Sequence, residues 1–253
     1  MLSVLPVIFG MVAFLYAMAG FGGGSTYIAL LVVTGLPLTV IPSVSLSCNL
    51  LVSGQGSWLL IKGGHAQRSI LLPLLVASIP CAFLGGRWPL PESTFIVLLA
   101  AGLSLAGLAM LIQSRIQQKK GIEAKAPRWP LLVIVGAILG LLAGVTGIGG
   151  GIYLAPVMHL FRWAEGRTIA ACTSLFIALN SLSGLVGQVS KGSEFWEIVP
   201  LWILIGCPVA VIIGGRVGSG LLTHKLPQGK IRILSAVVIL LVATRLWLKV
   251  LIG

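Results

Sequence analysis

The sequence predicts an all-α fold, a polytopic membrane helix bundle of two homologous repeats, inverted relative to each other, with broken or re-entrant helices at two glycine-rich motifs. Three observations predict it. One glycine cluster occurs twice, Gly20-Phe21-Gly22-Gly23-Gly24 and Gly147-Ile148-Gly149-Gly150-Gly151, 127 residues apart in a chain of 253. Hydrophobic residues make up 57% of the chain and charged ones only 9%, with a mean hydropathy of +1.09; a soluble domain of this size is far more polar. Spans of roughly 20 apolar residues recur along the whole length, so the bilayer is the solvent.

Residues 2 to 20 form the first apolar span, and the glycine cluster ends it by stripping side chains from the helix. Residues 24 to 36 form a short arm, and residues 39 to 61, 69 to 88 and 93 to 113 form three longer spans. The second half repeats the series at 130 to 147, 150 to 162, 168 to 190, 197 to 219 and 231 to 251. An arm of this length covers only about half to two-thirds of a hydrocarbon core of roughly 30 Å, so each arm is tilted or re-entrant. Residues 1–113 are thus expected as the first membrane repeat, 114–129 as a basic cytoplasmic linker and 130–253 as the second repeat.

The duplication extends past the glycines. Ser45-Leu46 matches Ser174-Leu175, Lys62-Gly63 matches Lys191-Gly192 and Gly85-Gly86-Arg87 matches Gly214-Gly215-Arg216, each at an offset of 129. The change from 127 to 129 implies a two-residue insertion after the second glycine cluster, which a loop absorbs.

The formal net charge of +12 arises from 17 Lys and Arg against 5 Glu, with no Asp. These basic residues sit in short loops between apolar spans, the pattern of cytoplasmic loops and anionic headgroups, so nucleic-acid binding is excluded as the reading. The linker carries Arg115, Lys119, Lys120, Lys125 and Arg128 against Glu123 alone, and the loop from Arg216 to Arg232 adds Lys225 and Lys230. Placing both loops and Lys62 on the inside requires an odd number of crossings per half. Five crossings make the repeats inverted; four would make them parallel and leave the Arg216 to Arg232 loop outside.

Cys48, Cys81, Cys172 and Cys207 lie in apolar segments without a CxxC pair or a Cys/His cluster, and read as buried free thiols. The N-terminus lacks the basic region of a cleaved signal and is expected to stay in the mature chain. The five Glu residues, Glu92, Glu123, Glu165, Glu194 and Glu197, fall in loops or at span ends. No intramembrane carboxylate is therefore offered to a cation or a proton relay. No cofactor or metal is expected.

A helix that starts at a glycine cluster presents unpaired N–H groups and the positive end of its dipole, a combination suited to an anion away from bulk water. Gly22, Gly23, Gly24, Ser25 and Thr26 would supply one side of such a site, and Gly149, Gly150, Gly151 and Tyr153 the other. Close helix packing through small residues is the competing explanation. The following spans carry polar stripes at spacings of three and four. Ser45 and Asn49 lead the first, Thr173, Ile177 and Asn180 the second, with Ser174 beside Thr173 a further candidate for the site. Asn49 and Asn180 are the candidate side-chain donors, with hydrogen bonding between helices as their alternative role. Arg87 and Arg216 end equivalent spans, as vestibule cations that draw anions or as headgroup anchors.

At the glycine clusters the chain resembles the TauE/SafE family of sulfite and organosulfonate exporters. The resemblance rests on Ala19-Gly20-Phe21-Gly22-Gly23-Gly24 and Thr146-Gly147-Ile148-Gly149-Gly150-Gly151, followed by Ala171-Cys172-Thr173-Ser174-Leu175 and the Lys191-Gly192 turn. It implies a multi-pass permease of the inner membrane that moves small sulfur oxyanions or related organic anions, usually outward. Pro42-Ser43-Val44-Ser45-Leu46 departs from the threonine-serine pair more usual in the family. A non-transporting scaffold, an anion channel and a homo-oligomeric assembly stay open at this point. An intramembrane serine hydrolase at Ser25 lacks a histidine placed within a span.

Overall fold

The computed structural model describes residues 4–18, 20–115, 127–192, 198–220 and 228–252. The linker residues Lys119, Lys120, Glu123 and Lys125 lie outside the described residues, as do the first three positions, Ala19, Glu194, Glu197, His224 and Lys225. Among the described residues every regular element is helical. In chain order they are α1 (Leu5–Ala17), α2 (Gly24–Val33), α3 (Ile41–Lys62), α4 (Arg68–Arg87), α5 (Glu92–Arg115), α6 (Trp129–Thr146), α7 (Gly151–Leu160), α8 (Gly166–Val189), α9 (Leu201–Gly220) and α10 (Gln228–Ile252).

Local chemistry fixes the boundaries. Proline occupies the first turn of α1, α3 and α6, where its missing N–H costs nothing. α1 and α6 end at the glycine clusters. Gly20 and Gly147 both take φ 76°, and the residues that precede α2 and α7, Gly23 and Gly150, take φ 92° and 74°. Left-handed backbone costs an L-residue roughly 1–2 kcal/mol, so glycine is required at these four places. α2 and α7 have 10 residues each, about 15 Å of helix, half a hydrocarbon core. Six of the longer helices, α3, α4, α5, α6, α8 and α9, are long and apolar enough to cross a membrane.

Glycine also sets how the helices meet. A Cβ on Gly136, Gly140 or Gly144 of α6 would strike the Leu74, Ser78 or Ala82 backbone of α4, so the two helices run side by side in one direction at backbone contact. α1 and α9 are mated in the same way, through Pro6 and Gly206, Gly10 and Ala210, Phe14 and Gly218. The other partnerships run in opposite directions. α3 passes α8 with Leu46 near Gly184 and Gly56 near Ser174. α5 passes α10 with Ser104 bonded to Trp247 and Gly107 against Leu240. Phe9 of α1 stacks on Tyr27 of α2 at 4.6 Å between ring centroids, and both rings are fully buried. The two short helices and their glycine loops therefore sit inside a shell of longer ones.

Candidate functional site

The first glycine loop is built so that α2 begins with free donors. Thr26 and Tyr27 both donate their N–H to the Gly23 carbonyl at 3.0 Å, so the N–H groups of Gly24 and Ser25 precede the first intrahelical bond. They border a cavity of about 20 Å³ lined by Tyr16, Phe21, Gly22, Gly23, Gly24 and Ser25, by Asn49 of α3, and by Ile148, Ile152, Ala155 and Ile177. That volume holds roughly one water-sized group. Two lining atoms, Ser25 Oγ and Asn49 Oδ1, are buried without a hydrogen-bond partner. Among the described residues no carboxylate, ammonium or guanidinium lines the cavity. Its polarity comes from backbone N–H groups, the hydroxyls of Tyr16 and Ser25 and the Asn49 amide, at the positive end of a helix.

Asn49 is oriented by its other amide atom. Its Nδ2 donates to the Ile148 carbonyl at 2.8 Å, which fixes Oδ1 on the side of Gly22. The bond also ties α3 to the second glycine loop. Ser45 adds to this tie, its hydroxyl lying 3.1 Å from the Gly24 carbonyl and 2.9 Å from the Gly147 carbonyl. Ser174 donates to the Gly20 carbonyl at 2.8 Å. Ser45 and Ser174 are matched positions of the sequence repeat, as are Gly147 and Gly20. Each half thus holds the other's glycine loop with the same hydroxyl.

The remaining candidates are placed as follows. Thr26 Oγ1 pairs with Tyr16 Oη at 2.7 Å. A Cβ added to Gly149 would meet Asn49 Nδ2 of α3 before Ser181 of α8, and one added to Gly150 or Gly151 would meet Phe176 or Ile177 of α8. Those α8 side chains occupy the space beside the second cluster, so the first loop lines the cavity and the second contributes Ile148. Thr173 lies against Gly151 with its hydroxyl unpartnered, and Asn180 Nδ2 donates to Phe176 of its own helix at 2.8 Å. Tyr153 is buried beside Gly102 and Thr146. Arg87 and Arg216 are exposed near the ends of α4 and α9, away from the cavity.

Sequence reasoning missed the apolar wall. Ile152 and Ala155, three apart, share one face of α7, and that spacing was the available signal; Ile148 stands in the glycine loop before the helix. Tyr16 and Phe21 carry no such signal because the chain reverses between them.

Comparison with known proteins places this arrangement. The family described as sulfite exporter TauE/SafE matches residues 5–246. The chain belongs to that family. It is a multi-pass membrane protein of a transporter family, which is not an enzyme class. A similar sequence is the probable membrane transporter protein y4hK of Sinorhizobium fredii, 29% identical over 245 residues and 96% of each chain. A probable membrane transporter protein of Haemophilus influenzae is 29% identical over 190 residues, 69% of this chain and 67% of that one. A third, from Methanocaldococcus jannaschii, is 28% identical over 83 residues, 30% of this chain. No solved structure matches the chain. The TauE/SafE match spans both glycine loops.

Proposed function

We propose that the chain exports a small sulfur oxyanion or organosulfonate across the inner membrane, binding it between the two glycine breaks and exposing it to each side in turn. The observation that carries this reading is the buried cavity at the start of α2, which at about 20 Å³ must widen as the two glycine loops part to take such an anion. It offers the Gly24 and Ser25 N–H groups and the unpartnered Ser25 hydroxyl, with no acidic side chain on its wall. Donors without a fixed cation bind a desolvated oxyanion while leaving it free to depart.

The two-repeat, inverted arrangement belongs to the same proposal. α3 and α8 are equivalent under the sequence offset, as are α5 and α10, and each pair passes in opposite directions. A twofold axis relating antiparallel equivalents lies in the membrane plane. Following the chain directions, Lys62, Arg68, Arg128, Arg162, Arg167 and Arg216 share the end of the bundle that the linker joins. The positive-inside rule makes that end cytoplasmic. An inside-negative potential then assists anion export by about 2.3 kcal/mol per charge per 100 mV.

The test is thermal stabilisation of the purified protein by sulfite, sulfonates, sulfate and small carboxylates. Stabilisation by a sulfur oxyanion in the native protein, absent in Gly23→Val, supports the site. Equal shifts in both proteins, or no shift with any of these anions, overturn it.

A further inference from the structure

A second and much larger cavity, about 540 Å³, opens at one end of the bundle. It is formed by the α2–α3 loop (Pro37, Leu38, Thr39), the α4–α5 loop (Trp88, Pro89, Leu90), and the end of α8 with Gln188 and Lys191. Glu92, the first residue of α5, also lines it, whereas the linker leaves from the last residue of α5, about 36 Å away along the helix. The cavity therefore faces away from the linker. Its floor includes Pro42 and Val145. A Cβ on Gly147 would lie 2.5 Å from the Pro42 Cα, so a partition one residue thick separates the cavity from the second glycine loop.

The basic residue in this cavity is not a free headgroup anchor. Lys191 Nζ donates to Gln188 Oε1 at 3.1 Å, and Gln188, only 4% exposed, donates its Nε2 to the Gly144 carbonyl of α6 at 3.1 Å. The chain of bonds turns the ammonium inward, over the cavity, instead of outward to the bilayer surface. Partial burial lowers its pKa from the ordinary lysine value. Among the described residues the opposing charge on the wall is Glu92, which lies 3.5 Å from Lys249 in an exposed ion pair. The repeat sharpens the contrast. The equivalents of Gln188 and Lys191 are Leu59 and Lys62, both exposed at the other end of α3, so the tether exists in one copy only.

We infer that this cavity is an anion-selecting vestibule on the side opposite the linker, in which Lys191, positioned by Gln188, captures a small organic anion whose carbon body rests on Trp88, Leu90 and Phe95. Among the described lining residues the ammonium is the one attractive charge, and the apolar wall favours an organosulfonate over a bare inorganic ion. The ligand's identity rests on the permease reading; the charge selection does not.

The experiment places a cysteine at Thr39, on the vestibule wall, in proteoliposomes of zwitterionic lipid, so that anionic headgroups contribute nothing. It measures labelling by anionic 2-sulfonatoethyl and cationic 2-trimethylammonioethyl methanethiosulfonate from the side opposite the linker, above the native-cysteine baseline. The anionic-to-cationic rate ratio is expected to fall roughly three- to tenfold in Lys191→Gln, on the scale of a partly screened charge. It should stay unchanged in Lys62→Gln and recover in Lys191→Arg. Gln188→Leu, which keeps the charge and removes its tether, should lower the ratio part-way. An unaltered ratio in Lys191→Gln, an equal fall in Lys62→Gln, or labelling only from the linker side overturns the inference. Labelling does not depend on transport, so an intact ratio without anion flux would refute the permease reading and leave the vestibule standing.

Discussion

Gly24→Ala adds one carbon at the point where the two glycine loops meet, and its consequence can be worked from the surrounding atoms. The new Cβ would overlap Asn49 Nδ2 and lie 2.5 Å from the Ile148 carbonyl oxygen. The added carbon therefore drives apart the donor and acceptor of the bond that joins α3 to the second loop. Overpacking of a tight interior costs about 1–3 kcal/mol, and loss of the buried hydrogen bond about 1 kcal/mol, so the substitution should cost roughly 2–4 kcal/mol. The same carbon enters a cavity of about 20 Å³ and leaves no room for a bound group. Gly54→Ala is the matched control. It lies within α3, and nothing stands within 4 Å of its added Cβ, so helix propensity alone predicts a change between zero and about 1 kcal/mol of stabilisation. Unfolding free energies measured by titration from a mild into a denaturing detergent, with and without sulfite, would compare the two. A Gly24→Ala protein as stable as the parent, or one still stabilised by sulfite, would refute the reasoning.

Ser45→Ala and Ser174→Ala should each cost about 0.5–2 kcal/mol, since each removes a buried hydroxyl that bridges the halves. The double variant should equal their sum in the same detergent titration if the two ties act independently. Gly140→Val should prevent assembly of α4 on α6, because its side chain would strike the Ser78 backbone. Loss of monodisperse protein after purification would report this, and Gly35→Val, with open space around it, should purify with only the strain of its positive φ. Cysteines at Lys62 and Lys230 should react with an impermeant thiol reagent from the same side of the membrane under inversion; reaction from opposite sides would require parallel repeats.

Much of the helical frame was legible because apolar length carries it. The expected segment 69 to 88 is α4 at Arg68–Arg87, and 93 to 113 lies within α5. The short arms were legible too, since Gly23 and Gly150 mark their starts by needing positive φ. The contents of the site were less so. A stripe such as Thr173, Ile177 and Asn180 states which face is polar, but not that the Asn180 amide folds back to Phe176. The sequence marks Ser45 and Ser174 as polar positions, but does not state that their hydroxyls reach across to glycine carbonyls more than a hundred residues away. Equal glycine clusters also suggested equal walls. Phe176 and Ile177 break that equality by filling the space beside the second one. The vestibule was hidden because the α2–α3 loop, the α4–α5 loop and the end of α8, distant in sequence, build it, and its tether depends on Gln188, a residue the repeat does not duplicate.

Anion flux in proteoliposomes tests the central claim most directly. Vesicles loaded with labelled sulfite or a small organosulfonate and carrying the purified protein should release it with saturable kinetics, faster when the potential drives anions outward. Gly23→Val should abolish this release. Release no faster than from protein-free vesicles, or unchanged in Gly23→Val, would contradict the account.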